Sequence, residues 1–530
     1  MSSTLPTLTP AAVRQALLQR EEIALLDVRE EDPFAQAHPL WAANLPLSKL
    51  ELEAWGRIPR RDTLLAVYDD GEGLAALAAE RLQALGYTRV HLLAGGLAGW
   101  RDSGGELFRD VNVPSKAFGE LVEHHRHTPS LSAEQVQALL DDSADVVVLD
   151  ARRFDEYQTM NIPGSTSVPG GELVLRAREL APDPATRVIV NCAGRTRSII
   201  GTQSLVNAGL PNPVAALRNG TIGWTLAGQA LEHGAARRFP AEVSPAHREA
   251  ARAAASELAT RAGVSRLSPH TLAEWSLDPR RTTYRLDVRT PEEYAAGHRA
   301  GFRSAPGGQL VQETDHHAPV RGARLVLTDD DGVRAAMAAS WLAQMGWEVA
   351  LLDAPALAAA ELETGTDRPP QPQPPAVRSV SPATLADWLA TGEATVIDLT
   401  ASANHVKRHI PSAWWALRSQ LPQALQLVGA TRRVVLTCGT SLLARFAAQD
   451  LKPQADTELW VLEGGTAAWA DAGLPVESGE HRLASPRIDR YRRPYEGTGN
   501  ATAAMQAYLD WEFGLVAQLA RDGTHHFSVL

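Results

Sequence analysis

Two cysteines stand in a chain of 530 residues, and the first, Cys192, sits in the run VIVNCAGRTRSIIGTQSL. The apolar residues before it read as a buried strand and those after it as a helix, so Cys192 opens a strand-to-helix loop. Such a loop gathers backbone N–H groups and the positive end of a helix dipole, a setting that holds anions and favours a thiolate. A free cysteine with pKa ~8.5 is only a few per cent thiolate at neutral pH, and a drop of ~2 units would make it mostly thiolate. Gly194 allows an unusual backbone angle, and Arg195 and Arg197 add permanent charges whose forked donors match an oxyanion. Cys192 is therefore the first candidate nucleophile, with Ala193, Gly194, Arg195, Thr196, Arg197 and Ser198 as its candidate binding loop. Cys438, in RVVLTCGTSLLARF, is the second; its loop holds no basic residue before Arg445.

Both cysteines occupy one position in an internal repeat. Four segments open with a hydroxyl and a helix start, at Thr9, Ser132, Ser268 and Ser381. Each hydroxyl suits an N-cap, and Gln135 completes a capping box with Ser132. A short apolar strand then ends at Asp27, Asp150, Asp287 and Asp398, which lie 18, 18, 19 and 17 residues after the caps. Arg29, Arg152 and Arg289 follow these aspartates at a shared offset, where ion pairing within each unit is expected, and Thr400 breaks the pattern. A second strand leads to Asp69, Cys192, Asp329 and Cys438, which are 42, 42, 42 and 40 residues after the aspartates. A helix and a third strand follow, leading in three units to a Gly and Trp stretch, AGGLAGW, RNGTIGW and EGGTAAW; the third unit has DAPALAA instead. Short apolar strands alternating with helices predict α/β units, each a mostly parallel sheet flanked by helices.

The expected units are 5–112, 125–238, 264–362 and 376–480, followed by a tail at 481–530. TDRPPQPQPP, at 366–375, reads as a semi-rigid proline linker, and 244–263 as an alanine-rich spacer helix. The tail holds RIDRYRRPY and then ATAAMQAYLDWEFGLVAQLA, which predicts one amphipathic helix docked on a neighbouring unit. His124, His125, His127, His316 and His317 read as solvated linker residues, since no cysteine or ordered carboxylate set accompanies them.

Composition narrows the classes. A formal charge of -11 argues against a nucleic-acid or anionic-membrane surface as main partner, and no apolar run approaches the ~20 residues of a membrane span. Two cysteines without a CxxC pair suggest neither a disulfide framework nor zinc, so a reducing, cytoplasmic setting is expected. A homo-oligomer is left open.

A capped helix, a strand ending DxR, an IPG element at Ile162 to Gly164, a Cys loop and a GGxxGW segment together resemble the rhodanese, or sulfurtransferase, family. Four such units in tandem are similar to its multidomain bacterial members, over roughly residues 5–480. The resemblance implies a loop cysteine that carries sulfane sulfur as a persulfide. On it, Cys192 takes sulfur from thiosulfate or a related donor and passes it to a thiol or cyanide, with no cofactor and no metal. The opening CGT at Cys438 resembles that of mercaptopyruvate sulfurtransferases, which makes 3-mercaptopyruvate the expected alternative donor there; Ser441 and Leu442 depart from that pattern. Asp69 and Asp329 cannot form a persulfide, so units one and three are expected to be inactive, their carboxylates filling the helix-terminus pocket. Two rivals remain. One is a persulfide carrier or scaffold that delivers sulfur to a partner protein. The other is a phosphatase with Cys, five residues, then Arg; six positions after Cys192 stands Ser198 instead.

Overall fold

The computed structural model describes residues 5–354, 361–429, 432–451, 457–497 and 499–530. Four five-stranded sheets are present, and all share one strand order. In unit two the edge strand Ser130–Leu131 pairs with Val214–Leu217, followed by Arg187–Asn191, Val146–Asp150 and Thr166–Ser167. Every pairing in it is parallel, with Asp150 level with Asn191 and Ser167. Val188, Ile189 and Val190 are fully buried, as expected of a strand covered by helices on both faces.

The caps form as predicted. Thr9, Ser268 and Ser381 each accept a backbone N–H from three residues on, and Ser132 with Gln135 makes a reciprocal box. In three units the strand-end aspartate holds its arginine at 2.6 to 2.7 Å: Asp27 with Arg29, Asp150 with Arg152, Asp287 with Arg289. Each arginine also donates to a carbonyl eight residues along, which ties the strand end to the next helix. In unit four, His405 takes over, with Nδ1 2.8 Å from the Asp398 carboxylate. The third unit's DAPALAA stretch begins at Asp353, and its positions 355–359 lie outside the described residues.

The units share a core. One apolar cluster runs through units one, two and three. The expected spacer helix, Pro245–Arg261, is part of it, burying Ala251, Ala255, Leu258 and Ala259. A helix with no counterpart in the sequence reading, Val113–Arg126, joins unit one to unit two and is buried along most of its length. Unit four meets unit one through Arg418, which bonds Glu51 at 2.6 Å and Asp450 at 2.8 Å. The proline linker is held by Arg303, bonded to Asp367 at 2.7 Å.

The tail forms two helices rather than one, Thr502–Phe513 and Leu515–Asp522, which part at Gly514. Glycine is a poor helix former, and here it stands at the boundary between the two helices. The second helix buries Leu515 and Leu519 in the core of unit one, and Trp41 donates to the Thr524 carbonyl at 3.2 Å. The first helix lies on unit two.

Candidate active site

Cys192 follows the Arg187–Asn191 strand, and the Thr196–Asn207 helix begins four residues later. Its carbonyl accepts the Thr221 N–H at 2.9 Å. Directly beneath is Gly220, with φ +54, where a Cβ would stand 2.2 Å from that carbonyl oxygen. Gly465 sits in the same way beneath Cys438, and Gly96 beneath Asp69. The recurrent Gly and Trp stretch thus has a physical cause: only glycine lets the next helix start press against this loop.

In all four units the backbone N–H six residues on serves the residue at the cysteine position. Ala75 donates to Asp69 at 3.0 Å and Ala335 to Asp329 at 2.8 Å, while the N–H groups of Ser198 and Ala444 face the sulfurs of Cys192 and Cys438. Asp69 takes a second bond from Gly71 and Asp329 a second from Gly332, so both carboxylates fill their loops. Burial, with Asp331 beside it, pushes Asp329 up to about 7.

Cys192 is 2% exposed. Its thiol donates to Ser198 Oγ at 3.5 Å, and the Ser198 hydroxyl donates to the Arg195 carbonyl at 2.8 Å. Burial pushes the thiol above its ordinary range, while Arg197 and Ser198 pull it down. The expected depression is therefore reversed in the resting protein, because burial removes solvent from the sulfur.

Much of that cover is the tail. Ala193 and Ile222 pack in one apolar cluster with Tyr495, Met505, Tyr508 and Leu509. Gly194 takes no left-handed φ, contrary to the expectation of an unusual backbone angle; a Cβ on it would meet Tyr508 Cε1 at 3.1 Å and Glu512 Oε2 at 3.4 Å, so the glycine serves close approach of the tail instead. Thr196 Oγ1 donates to Glu512 Oε1 at 3.5 Å. Arg195 makes two bonds to Glu120, at 2.7 and 2.9 Å, and lies over the Phe513 ring at 4.3 Å. Arg197 makes two bonds to Glu156, at 2.7 and 2.9 Å, which hold that carboxyl down at about 2. The two arginines thus diverge, one toward the tail and one toward a cavity of about 890 Å³ whose walls include Arg152, Glu156 and Arg197 of unit two with Arg493 and Tyr495 of the tail.

Cys438 is 4% exposed, and burial pushes its thiol up while the N–H groups of Ala444, Thr440 and Leu443 pull it down. The expected lowering is reversed here too. Ser441 holds a left-handed φ of +73, a costly conformation for a residue with a Cβ. Arg445 turns to the Pro375 carbonyl at 2.9 Å and anchors the linker instead of entering the loop.

Glu120, Tyr495, Tyr508 and Glu512 have no place in the sequence reading of the site; the tail motifs were the only signal for the last three, and Glu120, on the Val113–Arg126 helix, had none. His124, His125 and His127 are exposed at the end of the Val113–Arg126 helix. His316 is exposed and His317 half-buried on the short helix Thr314–His317, against the expectation of a linker. Among the described residues no group of three or more His, Cys, Asp or Glu is arranged to hold a metal ion, and no helix is long and apolar enough to cross a membrane.

A parallel five-stranded sheet with a nucleophile loop at a strand end and a glycine pressed beneath it defines a rhodanese-like domain. A family profile described as "Rhodanese-like domain" matches residues 9–103, 132–227, 268–354 and 381–472, and the chain belongs to that family, with four copies in tandem. Along nearly its whole length it is similar to the thiosulfate sulfurtransferase from Pseudomonas aeruginosa, whose crystal structure is 68% identical, covers 99% of this chain and 100% of its own, and superposes with a TM-score of 0.97. A thiosulfate sulfurtransferase of Azotobacter vinelandii is 26% identical over 218 residues, which is 37% of this chain and 79% of that protein.

Proposed function

We propose that the chain is a thiosulfate sulfurtransferase in which Cys192 carries sulfane sulfur as a persulfide to a small thiol or cyanide. The observation that carries the reading is the Cys192 loop, in a chain that matches a thiosulfate sulfurtransferase from end to end. There a sulfur faces the Ser198 N–H with the Arg197 charge beside it. The Cys192 thiolate attacks the outer sulfur of thiosulfate, a new S–S bond forms, and the old one breaks as sulfite leaves with the electron pair. The acceptor then attacks the outer sulfur and returns the thiolate. No step calls on a cofactor.

Arg197 is the donor-binding arginine, and an arriving sulfonate shares its guanidinium with Glu156. Arg195 fixes the loop against Glu120 and the Phe513 ring, with Ala193, Gly194 and Thr196 supporting the contact with the tail. Ser198 bonds the sulfur. The burial of Cys192 supports small donors and acceptors over direct docking of a partner protein. Cys438, without a loop arginine, is assigned to an alternative donor such as 3-mercaptopyruvate, or to sulfur passed from Cys192. Two buried free cysteines support a reducing, cytoplasmic setting.

The test is intact mass after thiosulfate treatment. Wild type gains one sulfur, about 32 Da, which cyanide removes; Cys192→Ser gains none. A gain of the same size in the variant would refute the assignment.

A further inference from the structure

The 890 Å³ cavity is far larger than five-atom thiosulfate requires, and lies in the range of ~300–1,000 Å³ that holds drug-sized ligands. Arg197 and Tyr495 are part of its wall. Arg197 stands in the electric field of both Cys192 and Tyr495, and Tyr495 packs in one cluster with Ala193. The cavity wall therefore shares with the Cys192 loop a residue whose charge acts on the sulfur, Arg197, and one that packs on Ala193, Tyr495.

Most charges around it are already paired inside the protein: Glu156 with Arg197, Glu53 with Arg57, and Glu496 with Arg490. Five are not. Arg492 of the tail and Lys49 of unit one have no ion pair among the described residues, and neither do Glu313 and Asp315 of unit three or Asp489 of the tail, whose carboxylate accepts only the Ser402 N–H. Charges of both signs stand together, since Glu313 feels Arg153, Arg493 and Arg197. Burial pushes both carboxyls up, Asp315 to about 6, a direction that a bound ammonium reverses. A ligand of one sign would meet an opposing charge somewhere in this wall. A ligand carrying both signs has a partner for each.

We propose that the cavity is the acceptor site, and that it selects zwitterionic thiols, amino acids or small peptides bearing a carboxylate and an ammonium, held by Arg492 and by Glu313 with Asp315. The proposal rests on the persulfide reading at Cys192. In the transfer the acceptor's thiolate sulfur attacks the outer persulfide sulfur and forms an S–S bond. The bond to Cys192 breaks, its electron pair returns to Cys192 as thiolate, and the sulfur's proton stays with the product persulfide. Nothing is oxidised overall.

The experiment compares four thiols of similar size with thiosulfate as donor: cysteine, 3-mercaptopropionate, cysteamine and 2-mercaptoethanol, each rate referred to the thiolate present. Wild type should favour cysteine over 3-mercaptopropionate and over cysteamine by about tenfold each, the size of one charge-assisted contact, and over 2-mercaptoethanol by more than either. In Arg492→Gln the advantage of cysteine over cysteamine should collapse, and in Glu313→Gln its advantage over 3-mercaptopropionate. Rates that follow thiolate content alone, or preferences that both variants leave intact, would overturn the proposal. If no acceptor, cyanide included, takes sulfur from Cys192, the persulfide reading has failed instead. Binding then decides the cavity: calorimetry with unreactive S-methylcysteine should show binding to wild type, weakened about tenfold in each variant, and the absence of binding to wild type would overturn the site.

Discussion

In unit two the start of the Thr196–Asn207 helix faces a sulfur, and in unit one the start of Leu74–Ala84 closes on the carboxylate of Asp69. Both loops press on a positive-φ glycine, and both use the N–H six residues on. Asp69 brings its own anion into the loop and satisfies the backbone permanently. Cys192 brings a single sulfur atom, which on the proposed function gains and loses another. On that proposed function, the same scaffold serves stability in one unit and turnover in the other, and the difference lies in one side chain with its charged neighbours.

The largest effect that can break this comparison is at the sulfur itself. Cys192→Ser should lose more than nine-tenths of thiosulfate:cyanide activity, and a variant that kept more would move the chemistry elsewhere, with Cys438 as the first suspect. Next is the glycine beneath. Gly220→Ala sets a Cβ 2.2 Å from the Cys192 carbonyl at φ +54 and should cost about 3 kcal/mol, read as a lowered denaturant midpoint. A midpoint equal to wild type would show that the loop shifts freely. Neutralising Arg197 should raise the donor KM about tenfold with little change in kcat, as expected for loss of one charge-assisted contact. Arg195→Gln should act less, since its guanidinium faces Glu120; the reverse ranking would exchange their roles.

A smaller effect concerns pH. Burial pushes Glu512 up to about 7 with Glu120 adding to the rise, while Lys116, Arg195 and the Tyr508 hydroxyl oppose it. A carboxyl whose folded value exceeds its unfolded value, near 4.5, favours the protonated fold. Its stabilisation is complete below about 4.5 and is lost as pH rises through about 7. Chymotryptic cleavage at the exposed Phe513, taken relative to Glu512→Gln at the same pH, should rise between about pH 6 and 8; a flat ratio would remove Glu512 from tail docking. The smallest effect belongs to Asp69→Ala. It should cost about 1–3 kcal/mol through two orphaned N–H groups and leave the unit-two reaction intact. Lost turnover with the fold preserved would give the aspartate loop a function.

What the sequence made legible is what neighbouring residues decide. The caps at Thr9, Ser132, Ser268 and Ser381, the strands, and the Asp–Arg pairs all depend on contacts within a few positions, and each stands where its pattern put it. The Cys192 loop was legible as a loop. Its electrostatics were not, because the groups that bury the sulfur and redirect Arg195 come from elsewhere: Glu120 on an unforeseen helix, Phe513 and Glu512 on the tail. His405 illustrates the same limit, since a broken DxR pattern at Thr400 gave no hint that a side chain seven residues from Asp398 would replace the arginine.

The contact between Thr196 and Glu512 joins residues 316 positions apart, with two complete units lying between them. On the ribosome, unit two leaves the exit tunnel with its loop uncovered, and remains so while units three and four are made. At the ~5–20 residues per second of translation, that interval lasts on the order of tens of seconds. During it the loop lacks the tail that packs on Ala193, Gly194 and Thr196, and arrival of the Thr502–Phe513 helix supplies it. The segment that covers the Cys192 loop is thus also a timer, which sets how long a newborn chain must survive with that loop unfinished.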